Sequence, residues 1–114
     1  MADERILVVD DEPERGRTLK VGTVQIDRDS RRAFADGDEM GLTPLEYRLL
    51  EVFLERHGQV QTRRQLLQAA WNTEARIETR TVDMHVARLR AKLGSDGELL
   101  ETVRGVGYRF RGPE

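Results

Sequence analysis

Two hydrophobic periods divide the chain. Residues 19–27, LKVGTVQID, are rich in Val, Ile and Thr and alternate loosely between apolar and polar side chains, the period of a half-buried strand. Residues 31–43, RRAFADGDEMGLT, continue in the same style around Asp36-Gly37. That dipeptide is a hairpin signal, because both central positions of the tight turn need positive φ. Together they predict a small antiparallel sheet of three or four short strands.

From Thr43 the period lengthens to that of a helix. In TPLEYRLLEVFLERHG, Thr43 stands as N-cap, Pro44 at the first helical position and Glu46 three residues after the cap, which is a capping box with a pre-set first turn. Leu45, Leu49, Val52 and Phe53 make its apolar face, and Gly58 closes it. In TRRQLLQAAW, Thr62 and Gln65 repeat the box, with Leu66, Leu67, Ala70 and Trp71 facing inward. A polar connection follows over residues 72–78. TRTVDMHVARLRAKLG, residues 79–94, is a third helix closed by Gly94, and residues 98–110 read as two strands around Gly105-Val106-Gly107. The predicted order is sheet, three helices, hairpin. That is an α+β winged helix-turn-helix with an N-terminal antiparallel sheet and a C-terminal β-hairpin wing.

The third helix has two faces. At about 100° per residue, Val82, Val86, Leu89 and Leu93 fall in one narrow arc, a stripe that docks the helix on a core. Arg80, Met84, Ala87, Arg88 and Ala91 occupy the opposite side, flanked by Thr81, His85 and Lys92 on one edge and Asp83 and Arg90 on the other. Small residues among long basic ones let a helix approach a groove closely while the long side chains reach base edges and phosphates. Arg88, central on this face, is the candidate base reader, bidentate to a guanine. Arg80 and Arg90 are placed for phosphates. In the hairpin, Arg104 precedes the glycine-rich tip and suits a minor groove, where the potential is most negative. Tyr108 and Phe110 alternate with Arg109 and Arg111, giving one apolar strand face towards the core and one basic.

Charge supports this only once it is divided. The 114 residues sum to −2. The first 14 hold six acids and one base, Arg5, while residues 15–114 hold 18 bases against 15 acids. A weakly basic body with one basic helix suits a polyanion. Zero cysteines exclude a disulfide framework and a thiolate metal site. His57 and His85 lie far apart with no carboxylate cluster beside them, so no metal site is expected. There is no nucleophile–base pair and no phosphate-cradling glycine loop at a helix start. No catalytic residue, enzyme activity or cofactor is therefore expected. No apolar run approaches a membrane span and the acidic N-terminus is no secretory signal, so a cytoplasmic protein of one domain is expected.

LTPLEYRLLEVFLERHGQVQTRRQLLQAAW, TRTVDMHVARLRAKL and ETVRGVGYRF, in this order, resemble the effector domain of OmpR/PhoB-type response regulators of two-component systems. The resemblance covers residues 19–111. It implies sequence-specific binding of double-stranded promoter DNA, as head-to-tail pairs on direct repeats that self-associate on the DNA. The recognition helix, residues 79–93, would enter the major groove and the wing, residues 100–111, would touch the minor groove. Motif by motif, it brings over Arg80, Thr81, Met84, His85, Arg88 and Arg90, with Lys92 beside them. It adds Thr102, Arg104 and Tyr108 on the wing and Trp71 as a phosphate contact. Asn72, Thr73, Glu74, Ala75 and Arg76 match the loop by which the family can contact RNA polymerase. Ala87 departs from the pattern: PhoB-like members carry another arginine there, so one phosphate contact is missing. The alternative is a winged-helix interaction module that docks on protein with weak or no DNA binding.

RILVVDDEPE, residues 5–14, looks like the first strand of a phosphorylatable receiver. The effector sheet begins at Leu19, so residues 1–14 are expected to be a remnant, not a folded receiver. Residues 15–18 would be the linker and 19–112 the winged-helix domain. Asp10, Asp11 and Glu12 then lack a phospho-acceptor partner, and neither Mg²⁺ binding nor phosphorylation is expected. The run Ile6 to Val9, without parallel neighbours, is expected either to be disordered or to add to a sheet edge, its own or a neighbour's, with the sheet edge favoured.

Overall fold

The computed structural model describes residues 17–71 and 79–112. Residues 1–14 and 72–76, with the receiver-like stretch and the polymerase-contact expectation they carry, lie outside them.

Four short strands open the described chain: β1 (Thr18–Val21), β2 (Val24–Asp27), β3 (Arg32–Ala35) and β4 (Asp38–Met40). They pair in chain order as an antiparallel meander, four strands where three or four were expected. Asp36 and Gly37 carry φ of 54° and 87° and set the β3–β4 register, with Ala35 opposite Asp38. The register sends Val21, Val24, Ile26, Ala33, Ala35 and Met40 to one buried face.

That face packs on α1 (Pro44–Glu55), whose capping box is complete. Thr43 Oγ1 accepts from the Glu46 N–H and Glu46 Oε1 accepts from the Thr43 N–H. Such a cap stabilises by about 1 kcal/mol. Tyr47, Leu49, Leu50, Val52, Phe53 and Leu54 are all buried, so α1 is the central helix, in contact with the sheet, the other helices and the hairpin. Arg28 ties the β2–β3 turn to it, 3.0 Å from Glu51 and 2.6 Å from Glu55.

The next segment departs from the sequence reading. A fifth strand, β5 (Val60–Thr62), follows α1 after the turn at residues 56–59. The second helix begins with the expected Thr62–Gln65 box, but only α2 (Arg63–Leu66) is α-helical. Leu67–Trp71 continues as a π-helical turn. Then α3 (Arg80–Leu93) leads through a 3₁₀ stretch, Gly94–Leu99, into β6 (Leu100–Val103) and β7 (Gly107–Phe110). The sequence reading began the hairpin strand at Glu98. The 3₁₀ turn keeps it folded back because Gly97 lies against Arg90, where a Cβ would stand 2.7 Å from the Arg90 carbonyl oxygen. The second sheet has the order β5-β7-β6, so the wing is anchored through β7 to the strand before α2. Gly58, expected to close α1, donates its N–H to the Phe110 carbonyl at 2.7 Å, adding a link between that helix end and the wing.

One hydrophobic core joins both sheets and all three helices. Among the described residues no helix is long and apolar enough to cross a membrane.

Candidate nucleic-acid interface

The stripe on α3 docks as its spacing demands: Val82, Val86, Leu89 and Leu93 are buried. The opposite face is open. Arg80, Met84, Ala87, Arg88 and Ala91 are exposed, and Thr81, His85 and Arg90 half-buried. Arg88 makes no hydrogen bond or ion pair within the described residues. Exposed Arg104 stands in the wing turn with Gly105 (φ 78°) and Val106, whose N–H closes the turn on the Val103 carbonyl.

Several of the expected contact residues are engaged inside the fold instead. Arg90 donates from Nε to the Leu100 carbonyl and from Nη2 to Thr102 Oγ1, both at 3.0 Å. It braces the wing against α3, and Thr102 is its partner there. Lys92 Nζ lies 2.9 Å from the Gly41 carbonyl and 2.6 Å from Glu46 Oε1, neutralising a buried carboxylate. Lys92 thus has a structural role in the fold. Tyr108 is buried, and its hydroxyl donates to Asp83 Oδ1. The expected basic face of β7 is partly offset, since the single carboxylate of Glu101 pairs with both Arg109 at 2.9 Å and Arg111 at 3.3 Å. His85 approaches the Thr81 carbonyl through Nδ1 at 3.0 Å and meets the Trp71 ring edge-on, centroids 5.4 Å apart. These contacts orient its ring with Nε2 as the remaining nitrogen.

Sequence reasoning missed the residue at the hub of this arrangement. Asp83 Oδ1 accepts from Arg63 Nε at 2.7 Å as well as from Tyr108. The Arg63 guanidinium sits over the Tyr108 ring, 5.5 Å from its centroid. Three groups from α2, α3 and β7 therefore fix the first turn of α3, while Arg90 fixes its third. Asp83 looked like a helix-flank acid, and nothing local marked its two partners.

The titration of these groups follows from their partners. Burial of the Asp83 carboxyl pushes its pKa up, but the bonds from Tyr108 and Arg63 outweigh it and the net shift is down. Glu46 behaves alike: desolvation raises it, and Lys92 with the Thr43 N–H brings it below the ordinary value. Tyr108 is raised, by burial first and then by donating to Asp83. A carboxylate depressed in the folded state contributes stability above its unfolded pKa and loses it as pH falls through the folded one. The melting temperature is therefore expected to hold down to about pH 5 and to fall below about pH 4. Asp83→Asn should melt lower at pH 7 and show a shallower acid limb. An unchanged pH profile in this variant would contradict the hub.

A helix-turn-helix whose third helix carries an open basic face, braced on a β-hairpin, defines a winged-helix domain. Residues 37–110 match the family described as "Transcriptional regulatory protein, C terminal". The chain belongs to this family. It is 44% identical over 93 residues to the phosphate regulon transcriptional regulatory protein PhoB of Pseudomonas aeruginosa, covering 81% of this chain and 41% of that protein. It is 40% identical over 105 residues to the DNA-binding response regulator MtrA of Mycolicibacterium smegmatis, covering 90% of this chain and 46% of that protein. The chain thus spans less than half the length of these relatives. Among solved structures, the DNA-binding domain of the response regulator AdeR in complex with an intercistronic region superposes with a TM-score of 0.74 at 32% identity, covering 82% of this chain and 99% of that one. The DNA-binding domain of CpxR from E. coli gives 0.73 at 31%, covering 85% and 98%.

Proposed function

We propose that this chain is the DNA-reading part of a two-component-type transcriptional regulator, with α3 in the major groove and the wing turn at the minor groove of promoter DNA. One observation carries this reading. The fold engages Arg63, Arg90, Lys92, Arg109 and Arg111 internally, yet leaves Arg88 and Arg104 exposed on the two elements a duplex would meet. In this reading Arg88 reads a base, Arg80 and Arg104 meet backbone, and Trp71, Thr81 and His85 line the flank. Arg90, Thr102 and Tyr108 hold the wing in place. Val106, which the sequence reading placed in the hairpin turn without a contact role, joins Arg104 at the wing turn. The similarity to AdeR bound to an intercistronic region supports the choice of ligand. Pairing on direct repeats, and contact with RNA polymerase through residues 72–76, belong to the same proposal.

The test is equilibrium binding to duplexes selected from a random pool, across a salt series. Each phosphate neutralised contributes about −0.9 to the slope of log K against log salt. Arg80 and Arg104 alone should thus give a slope of about −2 or steeper. Absence of any duplex binding at low salt would sink the reading in favour of a protein-docking module.

A further inference from the structure

Met84 and Val106 are the exposed large apolar side chains among the described residues, each 47% exposed. A single exposed methionine is ordinary on a protein surface; its place is what matters. Met84 stands one turn after Arg80 and one turn before Arg88 on the open face of α3. Its other neighbours on that face, Ala87 and Ala91, are exposed and short. Between two arginines the helix thus presents one protruding apolar group, on ground low enough for the backbone to come close.

Resting on the DNA-binding reading, we propose that Met84 is a specificity-determining residue that reads the C5-methyl of a thymine. The major-groove edges of the base pairs offer donors, acceptors and one apolar group, which is that methyl. A thioether on an unbranched stem can neither donate usefully nor accept strongly. It is flexible and polarisable, so it moulds to a small apolar knob. Burying both groups against each other removes from water the surface that the free protein leaves exposed. The spacing adds a constraint. One helical turn rises about 5.4 Å and base pairs along one strand are spaced about 3.4 Å. Met84 therefore addresses a base pair one or two steps from the one that Arg88 reads. The selected site should carry a thymine at that offset from a guanine.

The experiment replaces each thymine of the selected duplex, one at a time, by deoxyuridine, which deletes the methyl and keeps the pairing edges. The parent chain is expected to lose about fourfold in affinity at one thymine, the equivalent of one buried methyl, and little elsewhere. Met84→Ala should bind the thymine and deoxyuridine duplexes alike at that position. Met84→Leu, still apolar and unbranched at Cβ, should restore the discrimination. Neither variant touches the core, so thermal melting should stay within a few degrees of the parent. Parent binding that ignores every thymine-to-deoxyuridine change overturns the proposal while leaving DNA binding intact. Undiminished discrimination in Met84→Ala overturns it as well. Failure to select any duplex would instead remove the DNA-binding reading, and this inference with it.

Discussion

Arg88→Ala is expected to lower affinity for the selected duplex by roughly ten- to a hundredfold, as loss of a bidentate guanine contact does. Affinity for unrelated duplexes should fall far less, so the ratio of specific to non-specific binding collapses. The side chain lies on the open face of α3 and no group within the described residues holds it back. Removing it costs the fold nothing, because no core atom depends on it. Arg80→Ala should behave differently, weakening all duplexes about equally and reducing the salt slope by about one. Competition titrations at fixed salt separate the two. If Arg88→Ala weakens specific and random duplexes by the same factor, Arg88 is a phosphate contact and the base reader lies elsewhere on the helix.

Local chemistry accounts for what was legible in the sequence. Asp36-Gly37 declared its hairpin because two positive φ values cannot be hidden, and Thr43 and Thr62 declared their helices because a capping box spans only four residues. The stripe from Val82 to Leu93 announced which face of α3 is docked. What the sequence hid depends on partners far along the chain. Lys92 reads as one more cation on a basic helix until Gly41 and Glu46, 51 and 46 residues away, are brought beside it. Arg109 and Arg111 read as a basic strand face until β6 places Glu101 against them. Strand β5 is three residues long with buried Gln61 at its centre. Its only warrant is the pairing with β7, which no period within Val60–Thr62 reveals.

That pairing also shows how the fold ties α3 to the wing. Helix α3 is braced at its first turn by Asp83 with Tyr108 and Arg63, and at its third by Arg90 with Leu100 and Thr102. Both braces end on the wing, and the wing itself is anchored through β7 on β5. Strain placed on β5–β7 should therefore reach α3 without touching any of the residues proposed to contact DNA.

Gly107→Ala is the sharpest way to apply it. Gly107 pairs with Thr62 across β5–β7. A Cβ there would lie 2.0 Å from the Gln61 carbonyl oxygen and 2.9 Å from Thr62 Cα. Both are backbone atoms, so the neighbour cannot rotate away and the strands must separate. Overpacking typically costs about 1–3 kcal/mol, and a clash with backbone that cannot rotate away belongs at the upper end, which for a domain of this size lowers the melting temperature on the order of 15 °C. Gly105→Ala, two residues away, is the matched control. Its Cβ would meet nothing within 4 Å, but its φ of 78° strains any side chain, at a cost of about 1–2 kcal/mol. Thermal melts followed by circular dichroism should rank parent, Gly105→Ala and Gly107→Ala in that order. Below its own melt, Gly107→Ala should also bind the selected duplex more weakly than the parent, since Tyr108, Arg63 and Asp83 lose their common geometry when β7 shifts. A Gly107→Ala chain that melts within a few degrees of the parent would show that β5 yields easily and that the wing does not depend on it.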